Sequence, residues 1–212
     1  MRKVKILVKQ HSYLYKNDEY DFYKLSDTIN LYNSKMKIII LEEPLYIKIF
    51  KINKNIRKIS EFIQDKIDNI FPQNGDILYD YEKLNSEGVI SIYSIKGKKK
   101  IEKLISNAKD IQVIPIQFFM REVMMKKMKN KKLTCGVIFQ IDKNYYYVYI
   151  KKGLIADNYI SGNLDEIIDK IDAQQIESQV YIDDCISDIN IHKSHIKFIK
   201  INIKEQMHEK LY

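Results

Sequence analysis

The residues best suited to metal chemistry lie near the C-terminus. His192 and His195 stand three apart, downstream of Asp183, Asp184 and Cys185, a mixed donor set that would suit zinc if the two segments fold together. The run from His192 to His195 reads more simply as a polar loop, and no metal is expected. Cys135 and Cys185 are far apart and have no Cys-x-x-Cys spacing, so they read as two half-buried thiols. Other catalytic patterns are missing. The serines lack a Gly-x-Ser-x-Gly setting, and His11 beside Ser12 reads as turn chemistry. No segment resembles a P-loop or a Gly-x-Gly-x-x-Gly phosphate loop. A two-metal nuclease needs several carboxylates on neighbouring strands, and the early strand segments expected below carry none.

Charge is the next signal. The 212 residues carry a net charge of +8, but the excess is lysine, in a composition rich in Ile, Asn and Tyr and poor in Arg. Arg is the better reader of phosphates and bases, so a basic nucleic-acid-binding protein is kept only as an alternative. Tyr145-Tyr146-Tyr147 could stack bases, although such a run more often lies on a strand with aromatics on both faces. The basic run from Lys126 to Lys132 could meet anionic lipid headgroups, with simple solvation as its default reading.

The elements that must position these residues follow from periodicity. Val4 to Val8, Tyr13 to Tyr15 and Phe22 to Leu25 read as a meander with turns at Gln10-His11 and Asn17-Asp18. Met36 to Leu41 is a continuous apolar run suited to a strand buried on both faces. From Leu45 to Pro115 the order is strand, helix, strand, strand, helix, strand. Leu45 to Ile52 alternates; Ile56, Ile59, Phe62, Ile63, Ile67, Ile70 and Phe71 share a helix face; Ile77 to Tyr81 and Val89 to Ile95 form a hairpin; Ile101, Leu104, Ile105 and Ala108 are the stripe of a second helix; Ile111 to Ile114 closes the module. Phe118 to Met128 is apolar enough for a core helix. A second meander follows at Val137 to Ile141, Tyr145 to Ile150 and Leu154 to Ile160. Then come a helix from Leu164 to Ile171, strands at Val180 to Ile182 and Ile196 to Ile203, and a polar, helix-compatible tail from Lys204 to Tyr212.

The plan is therefore a meander (1–44), an inserted β-α-β-β-α-β module (45–115), and a helix with a second meander and C-terminal strands (116–212). This order resembles an α/β, actin-like fold, that is, a duplicated ribonuclease-H-like fold with a shortened second half. More narrowly it resembles the PilM proteins of type IV pilus assembly and the cytoplasmic domain of the GspL proteins of type II secretion. In that family, phosphates sit on one glycine-containing turn in each meander, each with an Asp. Here the first turn lies in Val8 to Leu14 with neither residue, and the family's Asp-Ile-Gly falls on Gln140-Ile141-Asp142. The resemblance thus implies a fold without a working nucleotide site. The expectation is a protein that is not an enzyme and has no cofactor, with an actin-like ATP-binding protein as the alternative.

The partners implied by the resemblance are a PilN-like bitopic inner-membrane protein and the assembly ATPase. The membrane protein's N-terminal tail would lie in a groove between the first meander and the inserted module. A homo-oligomer is left open. Tyr46 and Phe50 on the strand Leu45 to Ile52, and Tyr79 and Tyr81 on the following hairpin, are the expected contact residues, because aromatics that leave water dominate interface energy. The start of the chain is too interrupted for a secretory signal, and no apolar run approaches about eighteen residues. A cytoplasmic protein peripheral to the inner face of the membrane is expected. A GspL-like plan would continue past Tyr212 into a membrane helix.

Overall fold

A computed structural model describes residues 3–16, 18–22, 35–52, 58–105, 110–174, 179–187 and 196–203. The first sheet has the order β3-β2-β1-β4-β8, built from β1 (Lys3–Val8), β2 (Ser12–Tyr15), β3 (Asp18–Asp21), β4 (Lys35–Ile40) and β8 (Asp110–Pro115). β1 to β3 form the antiparallel meander, while β4 runs parallel to both β1 and β8. The apolar run on β4 is buried at Met36, Ile38, Ile39 and Ile40, as a strand covered on both faces requires.

The third strand differs from the sequence expectation. It occupies Asp18–Asp21, because the chain already reverses at Lys16, whose φ is 53°. Positions 23–25 of the expected strand lie outside the described residues. The first sheet therefore does carry carboxylates at Asp18, Glu19 and Asp21, but all three are exposed on its edge strand. They are not gathered as a metal site would need.

The second sheet repeats the first. Its order is β11-β10-β9-β12-β13, from β9 (Cys135–Ile141), β10 (Asn144–Lys151), β11 (Leu154–Ser161), β12 (Val180–Asp183) and β13 (Phe198–Ile201). β9 to β11 are antiparallel and β12 runs parallel to β9 and β13. Each half thus has the ribonuclease-H-like 3-2-1-4-5 order. The second sheet is complete, so the shortness of this half lies in its connections.

Between the sheets stands α3 (Ile116–Lys127), whose Phe119, Met120, Val123 and Met124 are all buried. One apolar core passes from Ile6 and Ile38 through this helix to Val137, Phe139 and Val148. The alternate residues of β9 and β10, Ile138 and Tyr147, face the other way, onto Ile167, Ile168 and Ile171 of α4 (Leu164–Ala173). A three-stranded sheet of order β5-β7-β6 projects from this body, built from β5 (Tyr46–Lys51), β6 (Ile77–Leu84) and β7 (Val89–Lys96). It is covered on one face by α1 (Ile59–Ile70).

The element order of the inserted module is as expected, but its membership is narrower than 45–115. β8 hydrogen-bonds along β4 in the first sheet, and Ile101 and Leu104 of α2 (Lys98–Ile105) are buried in the main core. A strand buried on both faces, such as β4, needs a neighbour on each edge, and β8 supplies the second.

Candidate functional site

The two meander turns, where this fold class would hold phosphates, face each other. Lys9, just after β1, places Nζ 2.7 Å from the Asp142 carboxylate in the β9–β10 turn and 3.6 Å from Glu19. Glu42, just after β4, accepts the Gln10 backbone N–H at 3.0 Å and the Asn144 side-chain amide at 3.3 Å. The Glu42 N–H donates to the Tyr146 hydroxyl at 3.3 Å. A phosphate turn works by leaving several N–H groups free and converging. Here the Gln10 N–H is occupied, and the Lys9 ammonium is already balanced by Asp142, Glu19 and Glu42, which weakens its pull on a further anion. Burial works against the Lys9 ammonium, yet the Asp142 hydrogen bond and charge, with Glu19 and Glu42 behind them, hold its pKa above the ordinary lysine value. Asp142 keeps a left-handed backbone, with φ 52°, in the position that the resemblance gives to glycine.

The C-terminal donor set is not brought together within the described residues. His192 and His195 lie outside them, and no group of three His, Cys, Asp or Glu side chains is placed to hold a metal among the rest. Asp183 is buried at the end of β12, where its carboxylate accepts the Ile203 N–H at 3.5 Å, while Cys185 is exposed. Burial raises the Asp183 pKa. A carboxyl whose folded-state pKa is raised contributes stability that is full below its unfolded pKa and lost as pH rises through the folded value. Asp183→Asn should therefore stabilise the protein near neutral pH, with a gain that shrinks as pH falls; thermal melts of both proteins from acid to neutral pH check this. Burial also pushes the Cys135 thiol up to about 12, which keeps it protonated near neutral pH.

Of the four expected contact aromatics, three are engaged inside the inserted unit. Register places Tyr46 and Tyr79 on either side of Ser94, on the face covered by α1. The Phe71 ring sits against both, with centroids 5.2 Å from Tyr46 and 5.9 Å from Tyr79. The Tyr79 hydroxyl donates to the Pro72 carbonyl at 2.7 Å, and Phe50 packs edge-on against Phe62 at 6.1 Å. Tyr46 is still 43% exposed and Tyr81 49%. Both therefore keep an open surface, and Tyr81 does so without giving an edge to Phe71.

The opposite face of the small sheet rests on the body through residues that periodicity did not single out. Arg121 of α3 makes a two-pronged ion pair with Glu82 of β6, with Nη2 2.7 Å from Oε1, and the Tyr93 hydroxyl donates to Glu82 Oε2 at 3.0 Å. At the root of the unit, the Leu45 N–H donates to Asn158 Oδ1 at 2.9 Å, and the Asn158 amide donates to the Leu45 carbonyl at 2.8 Å. Asn158 is buried on β11, so the second half grips the strand that leads into the insertion.

Two clefts flank this junction. The smaller, about 210 Å³, runs between the small sheet and the β8–α3 corner, lined by Leu78, Asp80, Tyr93, Ile95, Val113 and Phe118. The larger, about 530 Å³, lies towards the second half, against Pro44, Tyr46, Ile77, Ile95, Tyr159 and Ile160. Among the described residues, neither is lined by the first meander.

The chain superposes on a Bacteroides thetaiotaomicron VPI-5482 protein of actin-like ATPase fold and unknown function. The TM-score is 0.58 at 9% identity, over 98% of this chain and 95% of that one. It superposes equally on the cytoplasmic domain of EpsL, an inner-membrane component of the type II secretion system of Vibrio cholerae. There the TM-score is 0.57 at 6% identity, covering 98% and 93% of the two chains. A PilM–PilN type IV pilus biogenesis complex matches in part, with a TM-score of 0.42 and 10% identity over 66% of this chain and 46% of that one. The first two likenesses show an actin-like fold along nearly the whole chain. No family model and no curated protein matches it in sequence.

Proposed function

We propose that this protein is a non-catalytic component of an inner-membrane assembly platform of the type II secretion or type IV pilus kind, working on the cytoplasmic side. The observation that carries the reading is the filled crevice between the meander turns, where Lys9 pairs with Asp142 and Glu42 accepts from Gln10 and Asn144, in place of a phosphate. The likeness to the EpsL cytoplasmic domain supports the same class of role. The protein acts by binding a bitopic membrane partner's cytoplasmic tail, and the assembly ATPase as a second partner.

The smaller cleft is the seat for that tail. Among the described residues β8 ends the first sheet, so one row of its backbone groups would be available to an added strand. Val113 on β8 and Leu78, Ile95 and Phe118 across the cleft would take apolar side chains of the incoming segment. Titration of the full chain with the N-terminal cytoplasmic tail of such a partner tests this. Saturable binding is expected, weakened tenfold or more by Val113→Lys and nearly unchanged by Tyr81→Ala, which lies on the other face of the small sheet, with unchanged melting of both variants. Absence of saturable binding, or equal affinity for the Val113 variant, would remove the cleft from the account.

A further inference from the structure

The charge of this molecule is divided between its two ends. The crevice end carries Glu19, Glu42 and Asp142 around Lys9. At the other end, four separate segments converge. The β10–β11 turn is held against the loop that leads from α3 to β9, because the Gly153 N–H donates to the Leu133 carbonyl at 2.9 Å and the Lys152 N–H to Thr134 Oγ1 at 3.0 Å. The starts of β12 and β13 join them, through Gly136 N–H to the Gln179 carbonyl at 3.0 Å and Val180 N–H to the Lys197 carbonyl at 3.3 Å. Segments 126–134 and 150–153 hold seven lysines and no Asp or Glu, close to the whole +8 of the chain. Lys126, Lys129, Lys131, Lys132, Lys151, Lys152 and Lys197 are all exposed. Lys152 meets Glu87 of the β6–β7 turn at 2.6 Å.

We infer that this basic end is a docking surface for an anionic lipid bilayer. The lysines stand on loop tips and strand ends, and none of them lines either cleft described above. Charge spread over a blunt end, without a cavity, complements an extended anionic surface better than a single small anion. The lysine-bearing segments 126–134 and 150–153 contain no Arg to pair with phosphates two-pronged and no aromatic to stack on bases, which disfavours nucleic acid. Attraction of this kind is strong at low ionic strength and fades within a Debye length of about 8 Å at physiological salt. The inference stands independently of the tail-binding cleft.

The test is co-sedimentation of the full chain with vesicles of phosphatidylcholine alone and with added phosphatidylglycerol, at low and at physiological salt. Binding is expected only with phosphatidylglycerol and should fall as salt rises. Replacing Lys129, Lys131, Lys132 and Lys151 together with Gln should weaken it tenfold or more. A control variant replacing Lys48, Lys96, Lys98 and Lys99 with Gln loses the same charge elsewhere and should bind nearly as well as the parent. Equal weakening in both variants would reduce the effect to net charge and overturn the proposal. So would absence of vesicle binding, or tight binding to duplex DNA at physiological salt without any binding to vesicles.

Discussion

Replacing Glu82 with alanine is expected to cost about 3 kcal/mol of folding stability, because it strands the Arg121 guanidinium in a mostly buried position. Arg121 lies over the Phe118 ring at 4.8 Å and is held by both oxygens of Glu82. Burial, and after it the Glu82 charge, push the Tyr93 phenol well above its ordinary range, so it stays a proton donor to that carboxylate. Arg121→Lys should not substitute, since an ammonium cannot make the planar two-pronged contact. Pairing Glu82→Leu with Arg121→Met should recover much of the loss, because apolar contacts of similar volume carry no desolvation penalty. Urea unfolding of the single and double variants measures this. A loss below about 0.5 kcal/mol for Glu82→Ala would place the pair among ordinary surface bridges. The same change should loosen the smaller cleft, which Tyr93 and Phe118 both line.

Gly153→Ala should be of similar size, about 3 kcal/mol, for two separate reasons. Gly153 has φ 84°, where an L side chain is strained, and a Cβ there would lie 2.3 Å from the Lys131 carbonyl oxygen. The turn cannot retreat without breaking the Gly153 N–H bond to Leu133. Gly75→Ala separates the two effects. Its φ is 71°, but nothing lies within 4 Å of the added carbon, so it should cost about 1 kcal/mol from backbone strain alone. Equal losses at the two sites would mean that the 129–134 loop yields freely.

Much of the fold was legible because its signals are local. The apolar runs over Cys135–Ile141, Asn144–Lys151 and β4 need no knowledge of the partner strand. What periodicity cannot tell is which face a neighbour will cover. Tyr46, Phe50 and Tyr79 do share a face, as their spacing implies, but Phe62 and Phe71 come from the intervening helical segment to meet them. Sheet membership was hidden for a similar reason, since nothing in Ile111 to Ile114 records that its partner is β4 and not β6. The missing glycines at the meander turns were visible in the sequence. The contacts that replace them were not, because Lys9, Glu42 and Asp142 are brought together only by the packing of the two halves. Nor does any local pattern mark Asn158, a polar residue within a strand, as the grip on Leu45.

The measurement that bears most directly on a platform protein without nucleotide chemistry is thermal unfolding of the full chain with and without millimolar Mg-ATP. A ligand selective for the folded state must raise the melting temperature in proportion to its affinity. With the Gln10 N–H occupied and three carboxylates around Lys9, no shift beyond about 1 °C is expected. An increase of several degrees, saturating with ATP, would show that the crevice opens to hold phosphates and would contradict the account.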